Sequence, residues 1–368
     1  MTSKERIRAA IARQPADRIP LLEIAYWDET VARWRGEGLP KDYACQSPIH
    51  SSEGYRVERT LEDYFGMDRI SVFCFDNTLR LPERVLEESE EYVVRMMPDG
   101  MTAKFPRHRT GTPLYLDWAV KTPAAWAALR DRLFPAGDRL PGAMPEALRA
   151  ATAVGAYTVI KPEEPCQSAL YVLGEENCLV QMAENPDFVE DVIRQYAQFQ
   201  LGMLEILEGK GYRFDALWHF SDLCYKNGML FSPRFYRERV LPHLRPIYDW
   251  CHARGMQVIY HCDGYVARFL PLLIEAGVDC VQPLEVRCGN DVRIYKPQYG
   301  ERLAFFGNIS ADTMAVGGDL LVDEVRSKVL CAKEGGGYIF HSDHSIPPTV
   351  SLENYRLAVE TARKYGRY

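Results

Sequence analysis

Eight short apolar runs, separated by stretches of helical periodicity, recur along this chain of 368 residues and constrain its fold more than any single motif does. They fall at residues 21–25, 70–75, 157–161, 215–220, 256–260, 280–284, 303–307 and 338–340. Strands that alternate with helices imply parallel pairing, because a parallel partner is reached only by a crossover long enough to hold a helix. A count of eight predicts an α/β fold of the (β/α)8 TIM-barrel type, in which the carboxyl ends of all strands open on one face. Residues 80–117 break the alternation. Two alternating runs, 92–96 and 101–105, flank Pro98-Asp99-Gly100 and read as an antiparallel hairpin inserted in the N-terminal third. No internal repeat or low-complexity linker divides the chain, so residues 1–368 read as one domain. Ser3 is the expected cap of an opening helix, and Asn185 with Pro186 opens a long amphipathic helix to residue 208.

Composition narrows the partners. A hydrophobic content of 47% fills a sizeable core, and a net charge of -7 supplies no basic field for a nucleic acid. No apolar stretch has the length of a membrane span, and the first residues lack the apolar core of a signal peptide, so a cytoplasmic location is expected. The 10 cysteines are scattered without paired spacing and read as reduced, mostly buried thiols, Cys262 among them.

Two segments carry most of the chemistry: Tyr260-His261-Cys262-Asp263-Gly264 and Phe340-His341-Ser342-Asp343-His344-Ser345-Ile346-Pro347-Pro348. Each follows an apolar run and so sits where a strand gives way to a loop. On a shared barrel rim their imidazoles and carboxylates converge, and those groups suit zinc or a similar divalent metal as well as general acid and base catalysis. The other strand ends add Glu23, Asp76, Lys161 with Glu163, Asp215, His219, Asp222, Glu285 and Asn308. So many ionisable groups at one rim cost free energy unless they are partnered or used, which points to an enzyme. A structural reading stands beside this one. His261 could close a strand end, His219 and Asp222 could form a supporting network, and His341 and Asp343 could orient His344.

The order of several segments resembles the uroporphyrinogen decarboxylase superfamily of TIM barrels. These are Lys4-Glu5-Arg6-Ile7 with Asp17-Arg18-Ile19-Pro20, then Ser232-Pro233-Arg234-Phe235-Tyr236, His261-Cys262-Asp263-Gly264, Gln282-Pro283-Leu284-Glu285, Gly307-Asn308-Ile309 and Ile346-Pro347-Pro348. The superfamily includes the decarboxylase itself and methyltransferases that act on methyl-cobalamin or coenzyme M. Its zinc methyltransferases hold the metal with a His-x-Cys pair after strand five and a cysteine after strand eight. The resemblance carries those positions to His261, Asp263 and His344. It thus implies a divalent-metal site, zinc first, with harder ligands replacing both thiolates. Glu23, His219, Asp222, Glu285, His341 and Asp343 are then the candidate acids, bases or further ligand. The decarboxylase is similar in fold but binds its porphyrinogen with an arginine-rich segment after the first strand, where this chain reads Leu21-Leu22-Glu23-Ile24-Ala25-Tyr26-Trp27. The resemblance therefore implies a corrinoid-linked methyltransferase acting on a small O-, N- or S-methylated metabolite. This chain lacks an Asp-x-His-x-x-Gly segment, so the corrinoid is expected on a separate protein, and a homodimer is left open. The alternative is a decarboxylase or other lyase of a small carboxylic acid that is not uroporphyrinogen.

Overall fold

A computed structural model describes residues 1–45, 59–108 and 113–368. Along the chain, β1 is Ile70–Phe73, and an antiparallel group follows: β2 (Arg84–Glu88), β3 (Tyr92–Met96), β4 (Met101–Pro106) and β5 (Leu114–Trp118). Then come β6 (Tyr157–Ile160), β7 (Ala216–Ser221), a short ribbon of β8 (Cys224–Tyr225) and β9 (Gly228–Met229), β10 (Gln257–Cys262), β11 (Cys280–Pro283), β12 (Ala304–Phe306) and β13 (Tyr338–Ile339). A seven-stranded sheet runs in the order β1-β6-β7-β10-β11-β12-β13, and every pairing in it is parallel. Burial on both faces is what makes these strands read as continuous apolar runs. Alternate residues divide between two cores. Val159, Trp218, Ile259, Phe306 and Ile339 pack together on the concave side, whereas Leu217, Tyr260, Val281, Phe305 and Tyr338 pack with the helices.

The eighth strand expected at residues 21–25 is not formed as a strand. Leu21 makes an isolated parallel bridge to Phe340. The N–H of Phe340 donates to Pro20 at 2.9 Å, that of Leu22 donates to Phe340 at 3.0 Å, and that of Asp68 donates to Leu21 at 2.8 Å. Beyond that bridge the Glu23 carboxylate accepts the N–H of Ile24 at 3.1 Å. Pairing resumes as a single bridge between Tyr26 and Ile346.

The expected hairpin is the centre of a larger element. β3 and β4 pair antiparallel as read, but β2 and β5 flank them in a four-stranded sheet. Nearly every residue of β2 and β5 is exposed, so neither strand carries the alternation that marks a half-buried strand. The opening helix Ser3–Ile11 is capped by Thr2 rather than Ser3. Thr2 and Glu5 form a reciprocal capping box, and Ser3 instead donates its hydroxyl to Asp68 at 3.2 Å. Asn185 and Pro186 do open the long helix Pro186–Gly209. All ten cysteines are free thiols, and Cys262 is fully buried. Among the described residues no helix is long and apolar enough to cross a membrane.

Glu164 caps the helix Pro165–Leu173 through a 2.9 Å bond from the Gln167 N–H, while its other oxygen is buried without a partner. Burial raises its pKa from 4.5 to about 8. The folded chain therefore keeps a proton that the unfolded chain releases, so stability is full below pH 4.5 and falls as the pH rises toward 8. Glu164→Gln retains a capping oxygen and is expected to abolish that slope, leaving the variant more stable at pH 8 by on the order of a few kcal/mol. Urea titrations at pH 5 and pH 8 check this, and an unchanged slope would rule it out.

Candidate active site

His261 lies on β10, where alternation turns Tyr260 and Cys262 toward the helices and His261 toward the concave side. Its ring stacks on Phe220 of β7 with centroids 4.0 Å apart, and the Lys161 ammonium lies 4.2 Å from the centroid of the same phenyl ring. Parallel pairing places Gln282 beside His261, and Gln282 Oε1 accepts from Nδ1 at 2.6 Å. That bond assigns the proton to Nδ1 and leaves Nε2 as the ligating atom of the neutral ring. Nε2 is 3.6 Å from Asp222 Oδ1 and 3.7 Å from Asp263 Oδ1. Asp263 Oδ2 in turn is 3.3 Å from His344 Nε2.

The fit to a cation rests on these donors. Ligand atoms of Asp222, His261 and Asp263 all lie within 4.8 Å of one another. Asp263 Oδ1 is buried and has no hydrogen-bond partner. Burial opposes a charge on His261, but the Asp263 and Asp222 carboxylates outweigh it and raise its pKa to about 9. The pocket therefore stabilises positive charge, whether a proton on the ring or a metal ion among the carboxylates. Two carboxylates and an imidazole, with His344 adjacent, form a nitrogen and oxygen donor set that zinc, iron, manganese or nickel accepts.

The loops are built to hold this arrangement. Gly264 has φ +85°, and a Cβ there would fall 2.7 Å from the backbone of Cys224, so only glycine lets the chain turn after Asp263. Glu285 accepts the Gly264 N–H at 2.7 Å and the Cys288 thiol at 3.2 Å. It anchors the loop rather than facing the cluster. Asp343 accepts the N–H groups of Val286 at 3.0 Å and Ala311 at 2.9 Å, and ties three strand-end loops together.

Other predicted residues are placed elsewhere. His341 and Glu23 form a sealed pair with Nε2 and Oε1 2.9 Å apart, both fully buried, with Ser342 and Tyr355 hydroxyls at 2.9 and 3.4 Å from the carboxylate. Glu23 thus does not stand open at the rim. His219 faces the helix layer, bonded at 2.9 Å to both the Tyr248 hydroxyl and Gln200 Oε1, and burial lowers its pKa to about 3. Asp215 precedes β7 and pairs with Lys4 at 2.8 Å, at the opposite end of that strand from Asp222. The Asn308 amide braces Leu284, Asn290 and Val292. Sequence reading missed Gln282, Phe220 and Gln167, whose Oε1 accepts the Asp222 N–H at 2.7 Å. A glutamine inside an apolar run was the available signal for Gln282, legible only once strand pairing set it opposite His261.

Residues 107–365 match the model of the family described as uroporphyrinogen decarboxylase (URO-D). The chain belongs to the uroporphyrinogen decarboxylase family. Among curated members it is 28% identical over 141 residues to uroporphyrinogen decarboxylase of Pelobacter propionicus, a stretch covering 38% of this chain and 40% of that protein. It is 40% identical over 58 residues to the uroporphyrinogen decarboxylase of Ruegeria pomeroyi, or 16% of this chain and 17% of the other. These matched stretches span less than half of either relative. Among solved structures, a methyltransferase from Methanosarcina mazei superposes with a TM-score of 0.65 over 99% of both chains at 16% identity, which establishes a shared fold. The family and this fold neighbour carry the names of enzymes.

Proposed function

We propose that this family member is a methyltransferase that takes a methyl group from a small O-, N- or S-methylated metabolite and passes it to a corrinoid carried by a separate protein. The observation that carries the reading is the buried, unpartnered Asp263 Oδ1 facing His261 Nε2 beside Asp222. A divalent metal bound by Asp222, His261 and Asp263, with His344 in reach, would act as a Lewis acid on the donor heteroatom. The chain's own residues prepare that site. Gln282 orients the His261 ring, Phe220 shields its face from water, and Glu285 with Asp343 holds the loops in position. We include in the proposal a barrel closed by residues 20–22 between Phe340 and Asp68, which directs all these strand ends to one mouth.

One observation favours the alternative lyase. Lys161 is a cation on this rim, its ammonium 3.7 Å from Glu163, and it could hold the carboxylate of a small acid. Anaerobic mixing of the metal-loaded, untagged protein with a super-reduced corrinoid protein and a methoxylated aromatic, a methylamine or a thioether separates the two. A cobalt(I) to methylcobalt(III) absorbance change with one donor is expected. No change with all three overturns the methyltransferase and favours the lyase.

A further inference from the structure

Between the four-stranded sheet and the strand-end loops lies a cleft that shares Asp222 with the metal-ligand cluster. Its nearer part, about 200 Å³, is walled by Tyr115 and Trp118 of β5, by Tyr171 and Gln167, and by Glu175. Tyr115, Tyr171 and Met101 also line a second part of about 280 Å³, where Asp99, Glu163 and Ser168 face in. Its acidic groups are unevenly compensated. Glu163 has Lys161 and Asp222 has His261, but among the described residues neither Asp99 nor Glu175 has an ion-pair partner. One polar atom on the cleft lining that can accept a hydrogen bond is buried without a partner, Ser168 Oγ, on a residue only 4% exposed. Burial first, then Asp99, Glu175 and Asp222, raises the pKa of the Tyr115 phenol.

We infer that this cleft seats an ammonium group of the substrate. The inference rests on the methyltransferase reading and names its donor class: a small cation whose charged head lies among Tyr115, Trp118, Tyr171 and Glu175 while its methylated heteroatom reaches Asp222. Aromatic faces carry negative potential and attract an ammonium ion, more strongly as water is excluded. Carboxylates without cationic partners add to that field, so a cation relieves a charge the cleft already holds. A carboxylate ligand meets repulsion from the same groups, and a neutral ether leaves Asp99 and Glu175 uncompensated. The four-stranded sheet thereby acquires a purpose, since β5 supplies two of the three aromatic walls.

Calorimetric titration of the whole protein with choline and with its neutral carbon isostere 3,3-dimethyl-1-butanol tests the inference without corrinoid or turnover. Choline is expected to bind saturably and about tenfold tighter than the isostere. Glu175→Gln, at an exposed helix start, and Tyr171→Leu should each weaken choline about fivefold with unchanged melting temperature and metal content. Equal affinities for the two compounds, no saturable choline binding, or tighter binding of trimethylacetate overturns the cation site. The two readings fail separately. Methyl transfer from a neutral donor with no choline binding removes only the cation site, and choline binding with no methyl transfer from any donor removes only the methyltransferase.

Discussion

Replacing His261 by alanine is expected to strip the protein of its divalent metal. Nε2 of His261 is the atom common to both short contacts in the cluster, to Asp222 and to Asp263. Without it the two carboxylates keep only His344, beside Asp263, as a nitrogen donor. Affinity should fall by more than the roughly 10–100-fold that follows loss of a supporting hydrogen bond. Gln282→Leu supplies that lesser case, because it removes only the 2.6 Å bond that orients the ring. A graded series is therefore expected, with native protein tightest, Gln282→Leu intermediate and His261→Ala weakest. His252→Ala, at a surface histidine paired with Asp279, should match native protein. Elemental analysis and competition against a chelator on untagged protein measure the order, and full metal content in His261→Ala would remove the site.

Asp68→Ala is expected to destabilise the fold by about 3–5 kcal/mol, the cost of leaving a buried charge without its partner. Asp68 is 1% exposed and gathers four groups: Arg6 at 2.5 Å, Arg18 at 2.7 Å, the Leu21 N–H at 2.9 Å and the Ser3 hydroxyl at 3.2 Å. Those contacts join the opening helix and residues 20–22 to the chain entering β1. Removing the carboxylate leaves Arg6 Nη1 without its acceptor, while Asp17 keeps a two-pronged pair with Nε and Nη2, each at 2.7 Å. Asp68→Asn keeps an oxygen for Leu21 and should lose less. Urea melts of the two variants decide this, and equal losses would show that the Leu21 bond contributes nothing beyond the ion pairs.

Both variants bear on how legibly the site stood in the sequence. His261 and Asp263 could be singled out because they end an apolar run and precede a glycine, a local pattern with a local physical cause. The same reasoning selected His219, yet His219 turns to the helices. Its neighbours Trp218 and Phe220 occupy the other face of β7, and in a strand buried on both sides a histidine can serve either one. Nothing in an all-apolar strand marks which parity is inward. His341 does follow β13, but Glu23 lies in a bridge segment and not at a strand end, and the burial of the pair depends on Glu23 meeting Ser342, 319 positions away.

Local chemistry therefore determined the class of fold, the alternation of strands with helices, the glycine turn after Asp263 and the residue types able to hold a cation. These follow from periodicity, backbone geometry and ligand preference, which act within a few residues. Tertiary structure alone decided that residues 21–25 form a bridge and not a strand, that Asp222 joins His261 and Asp263, and that β2 and β5 complete a sheet over the cleft. Each depends on which faces meet after packing, because a carboxylate or an exposed strand has no local signature of its partner until burial and strand register bring that partner within a few ångströms.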